Sequence, residues 1–124
     1  MKYCFISIIL IIFVIPLCNF SFSEEIYTCI VKDILEGDSF VGETTGENPQ
    51  TMNIRIYGVD SPDEGQNFYE ESKQFLKELI GDKEVTIEVL TTDNLDYRVC
   101  NVITEAKNNV SEVLIKEGYA WWDE

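Results

Sequence analysis

The stretch RIYGVDSPDE (residues 55–64) begins as a β-strand and ends with three carboxylates within five residues. Ile54 and Ile56 fall on one face of a predicted strand, residues 52–58, and Arg55 falls on the other, because side chains alternate along a strand. This strand therefore has one apolar face and one face that carries a guanidinium group.

The closing half of the stretch has two interpretations. Ser61 as N-cap, Pro62 at the first helical position and acids in the first turn are typical of a helix start. Gly65 argues against a helix that continues from there. Alternatively, Asp60 belongs to a site for a hard cation such as calcium, which prefers oxygen ligands: two aspartates (Asp38 and Asp60) and a backbone carbonyl, with a third carboxylate that holds a water. The local pattern alone favours the helix start.

The pattern around this stretch predicts three strands, a helix, two strands and a second helix. We expect strands at residues 26–34, 39–41, 52–58, 85–89 and 97–104, and helices at residues 66–80 and 110–117. This order predicts a mainly β protein with helices (α+β), a five-stranded OB-fold-type barrel with two or more short helices. An α+β sandwich is the alternative.

The aromatic tail YAWW (residues 119–122) is expected to pack back on the body of the domain. Tryptophans at the end of a small domain usually close the core, and base stacking is their other role. We therefore predict that Trp121 and Trp122 lie in the core. Phe68 is predicted to lie on the buried face of the first helix.

The chain has 124 residues, a net charge of −14 and no histidine. Its length suits one small domain, and the missing histidine excludes Ser-His-Asp catalysis and histidine zinc sites on this chain. No basic stripe is present, although nucleic-acid binders usually carry one. A chain this acidic repels a polyanion, so either the substrate is not a long nucleic acid, or a bound cation and a few placed positive groups act locally.

Residues 1–23 have the pattern of a secretory signal peptide: Lys2 precedes an apolar, uncharged run at residues 4–17, and small residues surround Phe22. We predict cleavage near Ser23, a domain at residues 24–124, and a secreted or periplasmic location. The protein would then meet a membrane only through the signal segment. An uncleaved anchor is the alternative.

Two cysteines, Cys29 and Cys100, lie in the predicted domain. In an oxidising compartment they could form one disulfide. Two buried free thiols are the alternative, and the sequence does not choose between them.

Two aspartates follow strands that are expected to be neighbours. Asp38 closes the turn after the first strand, and Asp60 ends the third. In a meander the first three strands pair in order, so both carboxylates can meet at one edge of the sheet. Arg55 nearby suits a phosphate oxygen, which a guanidinium binds bidentately. Arg98 is the only other arginine.

Five stretches of the chain follow one another in a recognisable order and spacing. They are EGDS (36–39), IRIYGVDSPD (54–63), LKELIG (76–81), KEVTIEV (83–89) and NVSEVLIKEGYAW (109–121). Together they resemble the thermonuclease (staphylococcal nuclease-like) family, and the match runs from about residue 30 to residue 122.

The resemblance implies an OB-type barrel and a calcium-dependent phosphodiesterase that acts on DNA and RNA. By position, Asp38 and Asp60 would be calcium ligands, and the backbone carbonyl of Ser61 would be a third. These three residues are the predicted metal site, and calcium is the predicted cofactor.

The resemblance also implies three catalytic residues. Arg55 would hold the phosphate, Arg98 would lie near the leaving oxygen, and Asp63 stands where the family has a glutamate that orients the attacking water. Asp63 is one methylene shorter than glutamate, so Glu64 is the alternative for this role.

The chain departs from the family in two further ways. The family's Tyr-Gly-Arg is replaced by residues 96–98 (DYR), and the usual basic surface is missing. We therefore carry two hypotheses: a monomeric, secreted calcium-dependent nuclease for single-stranded DNA or RNA with no stable protein partner, and a catalytically weak or inactive OB-fold module that binds calcium, nucleic acid or a protein.

Overall fold

The computed structural model describes residues 25–123. The predicted signal peptide, residues 1–23, lies outside the described residues. In chain order the elements are β1 (Glu25–Glu36), β2 (Ser39–Thr44), β3 (Thr51–Ile56), β4 (Val59–Asp60), α1 (Tyr69–Ile80), β5 (Glu84–Thr92), β6 (Arg98–Thr104), α2 (Val110–Lys116) and β7 (Trp121–Trp122). No helix within residues 25–123 has both the length and the apolar character needed to cross a membrane.

Five strands close into a barrel in the order β1-β2-β3-β6-β5. The β3–β6 pair is parallel, and the other neighbours are antiparallel. The sequence-based prediction of a five-stranded OB-type barrel with helices is confirmed, and the sandwich alternative is wrong because the sheet closes on itself.

The barrel interior is filled by alternate side chains of these strands. Phe40 of β2 and Ile54 of β3 are register partners, and both are fully buried. Leu76 and Ile80 of α1 and Leu114 of α2 are also fully buried. Each such side chain contributes about 1.5–3 kcal/mol through burial, so this burial holds both helices against the barrel.

The first helix begins later than its sequence pattern predicts. Its N-cap is Phe68, which has a left-handed backbone with φ 68° and no side-chain capping hydrogen bond. The interpretation of Ser61 as the N-cap is therefore wrong. Phe68 is 69% exposed rather than buried, because its left-handed backbone takes it out of the helical repeat.

The aromatic tail does pack back, but not through its tryptophans. Tyr119 stacks on Phe75 of α1 with ring centroids 4.1 Å apart. Trp121 and Trp122 pair with β4 through the backbone and are 49% and 58% exposed. The prediction that they close the core is wrong, because both residues of this two-residue strand keep about half of their surface in solvent.

Both cysteines of the described domain are buried free thiols, Cys29 in β1 and Cys100 in β6. Burial, with a smaller contribution from Glu84, raises the pKa of Cys29 to about 11. Burial, then the neighbouring Cys29, raises the pKa of Cys100 to about 12. The structure thus has the second of the two alternatives left open by the sequence.

Candidate active site

The turn between β1 and β2 places Asp38 at the rim of the barrel. Its side chain is buried, with 3% exposure, and its Oδ2 accepts a hydrogen bond of 3.3 Å from the backbone N–H of Ser61. Its carbonyl oxygen accepts from the N–H of Ile56 at 2.9 Å. These two bonds attach the turn to the end of β3 and to the segment after β4, so the carboxylate has a fixed position.

Asp60 and Ser61 reach the same rim because the chain turns sharply after β3. Gly58 has φ 81°, a conformation that suits glycine, and β4 begins immediately afterwards. In a straight strand Arg55 and Asp60, five residues apart, would lie on opposite faces. The turn at Gly58 interrupts this alternation, so both can face the same rim.

Gly37 allows the close approach of Asp38 to Ser61. A Cβ at Gly37 would lie 2.8 Å from the Cβ of Ser72 and 3.0 Å from the Cβ and Oγ of Ser61. Only a residue without a side chain fits between these groups, so the Glu-Gly-Asp turn has a packing reason for its glycine.

Arg55 lies on β3 opposite Ser39 of β2. Its exposed side chain lines a cavity of about 130 Å³ together with Asp38 and Glu36. A guanidinium group and a buried carboxylate thus face one small space, which suits a bound anion bridged to a cation.

The electrostatics of this cavity are dominated by carboxylates. Burial, the largest cause, raises the pKa of Asp38 to about 6. Arg55 and the Ser61 N–H lower this pKa, whereas the charges of Glu36 and Asp60 raise it. The structure therefore brings Asp38, Arg55, Asp60 and Ser61 together, with more negative charge than Arg55 alone offsets.

These residues fit a hard cation held by few protein ligands. Within residues 25–123 no group of three or more Asp, Glu, His or Cys side chains is close enough to hold a metal ion. The predicted calcium site has only two aspartate side chains and a backbone carbonyl, so it does not require a cluster of three side chains. Waters can fill the remaining positions around calcium. The hydroxyl of Ser61 is buried with no hydrogen-bond partner among the described residues, a polar atom that a bound cation or its waters would satisfy.

Asp63 is not gathered with Asp38 and Asp60 into a carboxylate cluster. Asp63 and Glu64 are exposed in the loop between β4 and α1. The Asp63 N–H donates to Oε1 of Gln66 at 2.8 Å, and the Gln66 N–H donates to the Asp63 carbonyl at 2.9 Å. Backbone and side chain close this turn without the Asp63 carboxylate, so its predicted role as the water-orienting acid stays a prediction.

Arg98 lies one strand away from Arg55. It begins β6 and pairs in register with Ile54. Its guanidinium contacts the hydroxyl of Thr92 at 3.2 Å and the carboxylate of Asp96 at 3.4 Å. Both contacts lie within its own hairpin, and Arg98 does not line the cavity shared by Asp38 and Arg55.

The β5–β6 loop contributes three residues to the cavity that sequence reasoning did not assign. Asp93, Leu95 and Tyr97 line it, and the Asp93 carboxylate accepts from the N–H groups of Leu95 and Tyr97 at 2.8 and 3.0 Å. An aspartate followed by polar turn residues is the signal that predicts such a local turn, but nothing local predicts that the loop reaches the β1–β2 turn.

The domain is thus a closed five-stranded barrel with a buried aspartate and an arginine at its rim. The family model for the staphylococcal nuclease homologues matches residues 53–124. This chain belongs to that family, and the resemblance deduced from the sequence motifs is confirmed.

Relatives cover most of this chain. An uncharacterized endonuclease of Haemophilus influenzae is 30% identical over 115 residues, which are 93% of this chain and 61% of the relative. Endonuclease Htp3 of Saprolegnia parasitica is 37% identical over 94 residues, 68% of this chain and 43% of the relative. An uncharacterized endonuclease of Escherichia coli O157:H7 is 26% identical over 112 residues, 86% and 71% of the two chains. The chain thus spans less than two thirds of the first two relatives.

Proposed function

We propose that this protein is a calcium-dependent nuclease that hydrolyses phosphodiester bonds of single-stranded DNA and RNA. The observation that carries this proposal is the meeting of Asp38, Asp60, Ser61 and Arg55 at one rim of the barrel. Family membership and relatives named as endonucleases support the same activity. The segment at residues 1–23 supports secretion or a periplasmic location, and we propose that the protein acts there as a monomer.

Asp38, Asp60 and the Ser61 carbonyl would hold calcium, which supplies positive charge next to the phosphate and polarises its oxygen. Arg55 binds a phosphate oxygen and stabilises the extra negative charge of the pentacoordinate transition state. Asp63, or Glu64 in its place, accepts a hydrogen bond from the attacking water and holds it in line with the bond that breaks.

Arg98 has to leave its present contacts to reach the leaving oxygen. Its ion pair with Asp96 is 3.4 Å long, and the side chains are 36% and 90% exposed. Exposed ion pairs of this kind contribute at most about 1 kcal/mol. A substrate phosphate can therefore compete with Asp96 for the guanidinium at little cost.

The proposal is tested by cleavage of a labelled single-stranded oligonucleotide by the purified protein. We expect cleavage with calcium and none with excess chelator. Arg55→Ala should slow cleavage about 100- to 1,000-fold, as loss of one transition-state donor does. Lys116→Ala removes an exposed cation at the end of α2 and should leave the rate unchanged. Undiminished cleavage by the Arg55→Ala protein would refute the mechanism.

A second function is favoured by a specific observation. The Asp63 carboxylate lies in an exposed loop, and Arg98 is bound to Asp96 and Thr92. Both are positions at which the chain departs from the family pattern. A catalytically weak or inactive module that binds calcium, nucleic acid or a protein partner would keep Asp38 and Asp60 without using either residue. This alternative predicts calcium-dependent stabilisation with no hydrolysis at any calcium concentration.

A further inference from the structure

Four large aromatic side chains near the candidate site are exposed to solvent. Tyr57, Phe68, Trp121 and Trp122 are 47%, 69%, 49% and 58% exposed. Tyr57 follows β3, Phe68 precedes α1, and the tryptophans form β7. Each of these residues keeps about half of its surface or more in water, and large exposed apolar surface of this kind indicates a binding surface.

Phe68 combines exposure with backbone strain. Its φ of 68° lies in the left-handed region, which is costly for a bulky residue. The ring is 69% exposed, so core packing does not explain why an aromatic residue occupies this position. Glycine would suit this backbone better. An external partner that uses the ring would account for both features.

Phe68 and Trp121 line one cleft of about 290 Å³. Pro62 lines the same cleft and directly follows Ser61. Trp121 is the register partner of Asp60 across the β4–β7 pair. The cleft therefore borders Asp60 and Ser61, two of the residues proposed to hold calcium.

We propose that the Phe68–Trp121 cleft binds a nucleobase of single-stranded nucleic acid beside the phosphate that is cleaved. This inference rests on the proposed nuclease function and adds a base subsite to it. Stacking on an aromatic ring suits any base, because every base has a π-face, and it contributes binding energy without positive charge. A chain with a net charge of −14 repels the phosphates of nucleic acid, so a contact that does not depend on charge matters more here.

The side chains around the cleft suit this occupant. Gln66 and Asn67 line it with Phe68 and Trp121, and their amide groups can donate to and accept from the polar edge of a base. Within residues 25–123 the stacked aromatic pair is Phe75–Tyr119, so Phe68 and Trp121 are not stacked on each other.

The two tryptophans are adjacent and are the only two in the chain, so intrinsic fluorescence reports on this surface. The titration uses an Arg55→Ala protein with calcium present, because this variant should cut the probe about 100- to 1,000-fold more slowly than the unmodified protein. A short oligothymidylate should quench the fluorescence with saturation. An abasic oligomer of the same length, with phosphates but no bases, should quench little and bind more weakly. Equal binding of both oligomers would overturn the proposal.

Three variants separate stacking from a structural role. Trp121→Ala should weaken oligothymidylate binding about 5- to 150-fold, and Trp121→Phe should restore most of it. Phe68→Gly should weaken binding while the melting temperature stays unchanged or rises, because glycine relieves the left-handed strain. Ile26→Ala, which removes an exposed apolar side chain on β1, should change neither quantity. A lowered melting temperature with unchanged binding in Phe68→Gly would assign the ring to folding and refute the subsite.

The outcomes also separate this inference from the proposed function. Cleavage by the unmodified protein, with the same KM in the Trp121→Ala variant and no fluorescence change on addition of oligothymidylate, would support the nuclease and refute the base subsite. Quenching by oligothymidylate without cleavage by the unmodified protein would keep the subsite and remove the nuclease. A fluorescence intensity per molecule that changes with protein concentration but not with oligonucleotide would show that a second copy covers the rings, against the proposal.

Discussion

Replacement of Asp38 by asparagine is expected to make the domain more stable while removing its response to calcium. Burial raises the pKa of Asp38 from 3.8 to about 6. Ionisation of its carboxyl group is therefore less favourable in the folded protein than in the unfolded chain. One pKa unit corresponds to about 1.4 kcal/mol. At neutral pH without calcium, Asp38→Asn should therefore raise the free energy of unfolding by about 3 kcal/mol.

The pH dependence has a defined sign. Because the folded pKa is raised, the folded state binds more protons than the unfolded state between pH 3.8 and about 6. The Asp38 contribution to stability is most favourable below pH 3.8 and is lost as the pH rises through about 6. The advantage of Asp38→Asn over the unmodified protein should therefore be small near pH 4 and reach its full size above about pH 7.

Urea denaturation with and without calcium measures both effects. Asparagine keeps an oxygen that can accept the Ser61 N–H, so the turn should remain intact. Asp33→Asn, at an exposed position of β1, is the matched control and should give a change of less than about 0.5 kcal/mol. Calcium should stabilise the unmodified protein and the control by mass action, but not Asp38→Asn. Lower stability of Asp38→Asn at neutral pH in chelator would refute the electrostatic argument.

Three further predictions concern the framework of the site. Gly37→Ala places a Cβ 2.8 Å from the Cβ of Ser72 and should cost about 1–3 kcal/mol by overpacking, measured by urea denaturation. Leu114→Ala in α2, a fully buried position, should cost about 2–5 kcal/mol, whereas a cost under about 0.5 kcal/mol would contradict its place in the core. Cys29 and Cys100, buried with pKa values raised to about 11 and 12, should react with a thiol reagent only at the rate of unfolding; fast labelling in the folded protein would show that they are accessible.

The barrel could be predicted because its information is local. Alternation in the strands and turn residues between them predict five strands, and the meander predicts the pairing of β1 with β2 and of β2 with β3, but not the parallel β3–β6 pair. The convergence of Asp38 and Asp60 follows from the same topology, since both lie just beyond strands that are joined through β2. The position of Arg55 relative to Asp60 depends on one more feature, the turn at Gly58, which the structure shows.

The start of α1 and the exposure of the tryptophans could not be predicted for a physical reason. The helical repeat extends back through Phe68, yet the left-handed backbone at Phe68 makes the helix begin only at Tyr69. The β4–β7 pair has two residues in each strand, too few for any periodic signal. Its pairing depends on where α2 directs the chain, which only tertiary packing decides.

The cavity residues Glu36 and Asp93 illustrate a further limit. The pairing of β1 with β2 shifts in register between Ile34 and Glu36, and such an irregularity changes the direction of the side chains that follow it. Asp93 reaches the cavity through a loop fixed by its own hydrogen bonds. Neither feature alters the apolar pattern, so the pattern predicts the barrel without predicting the full lining of the site.

The acidic composition and the exposed aromatic rings both bear on how this chain would bind nucleic acid. Proteins that hold nucleic acid through lysine and arginine lose affinity as salt rises, because counterions compete for the phosphates. This chain, with a net charge of −14, gains nothing from long-range attraction, and its arginines are confined to positions 55 and 98. Under the proposed function, contacts that act only at short range would supply the binding energy: calcium held by Asp38, the Arg55 guanidinium, and stacking in the Phe68–Trp121 cleft. Stacking is the one of these that needs no charge, so it is the contact that general repulsion by the acidic surface opposes least.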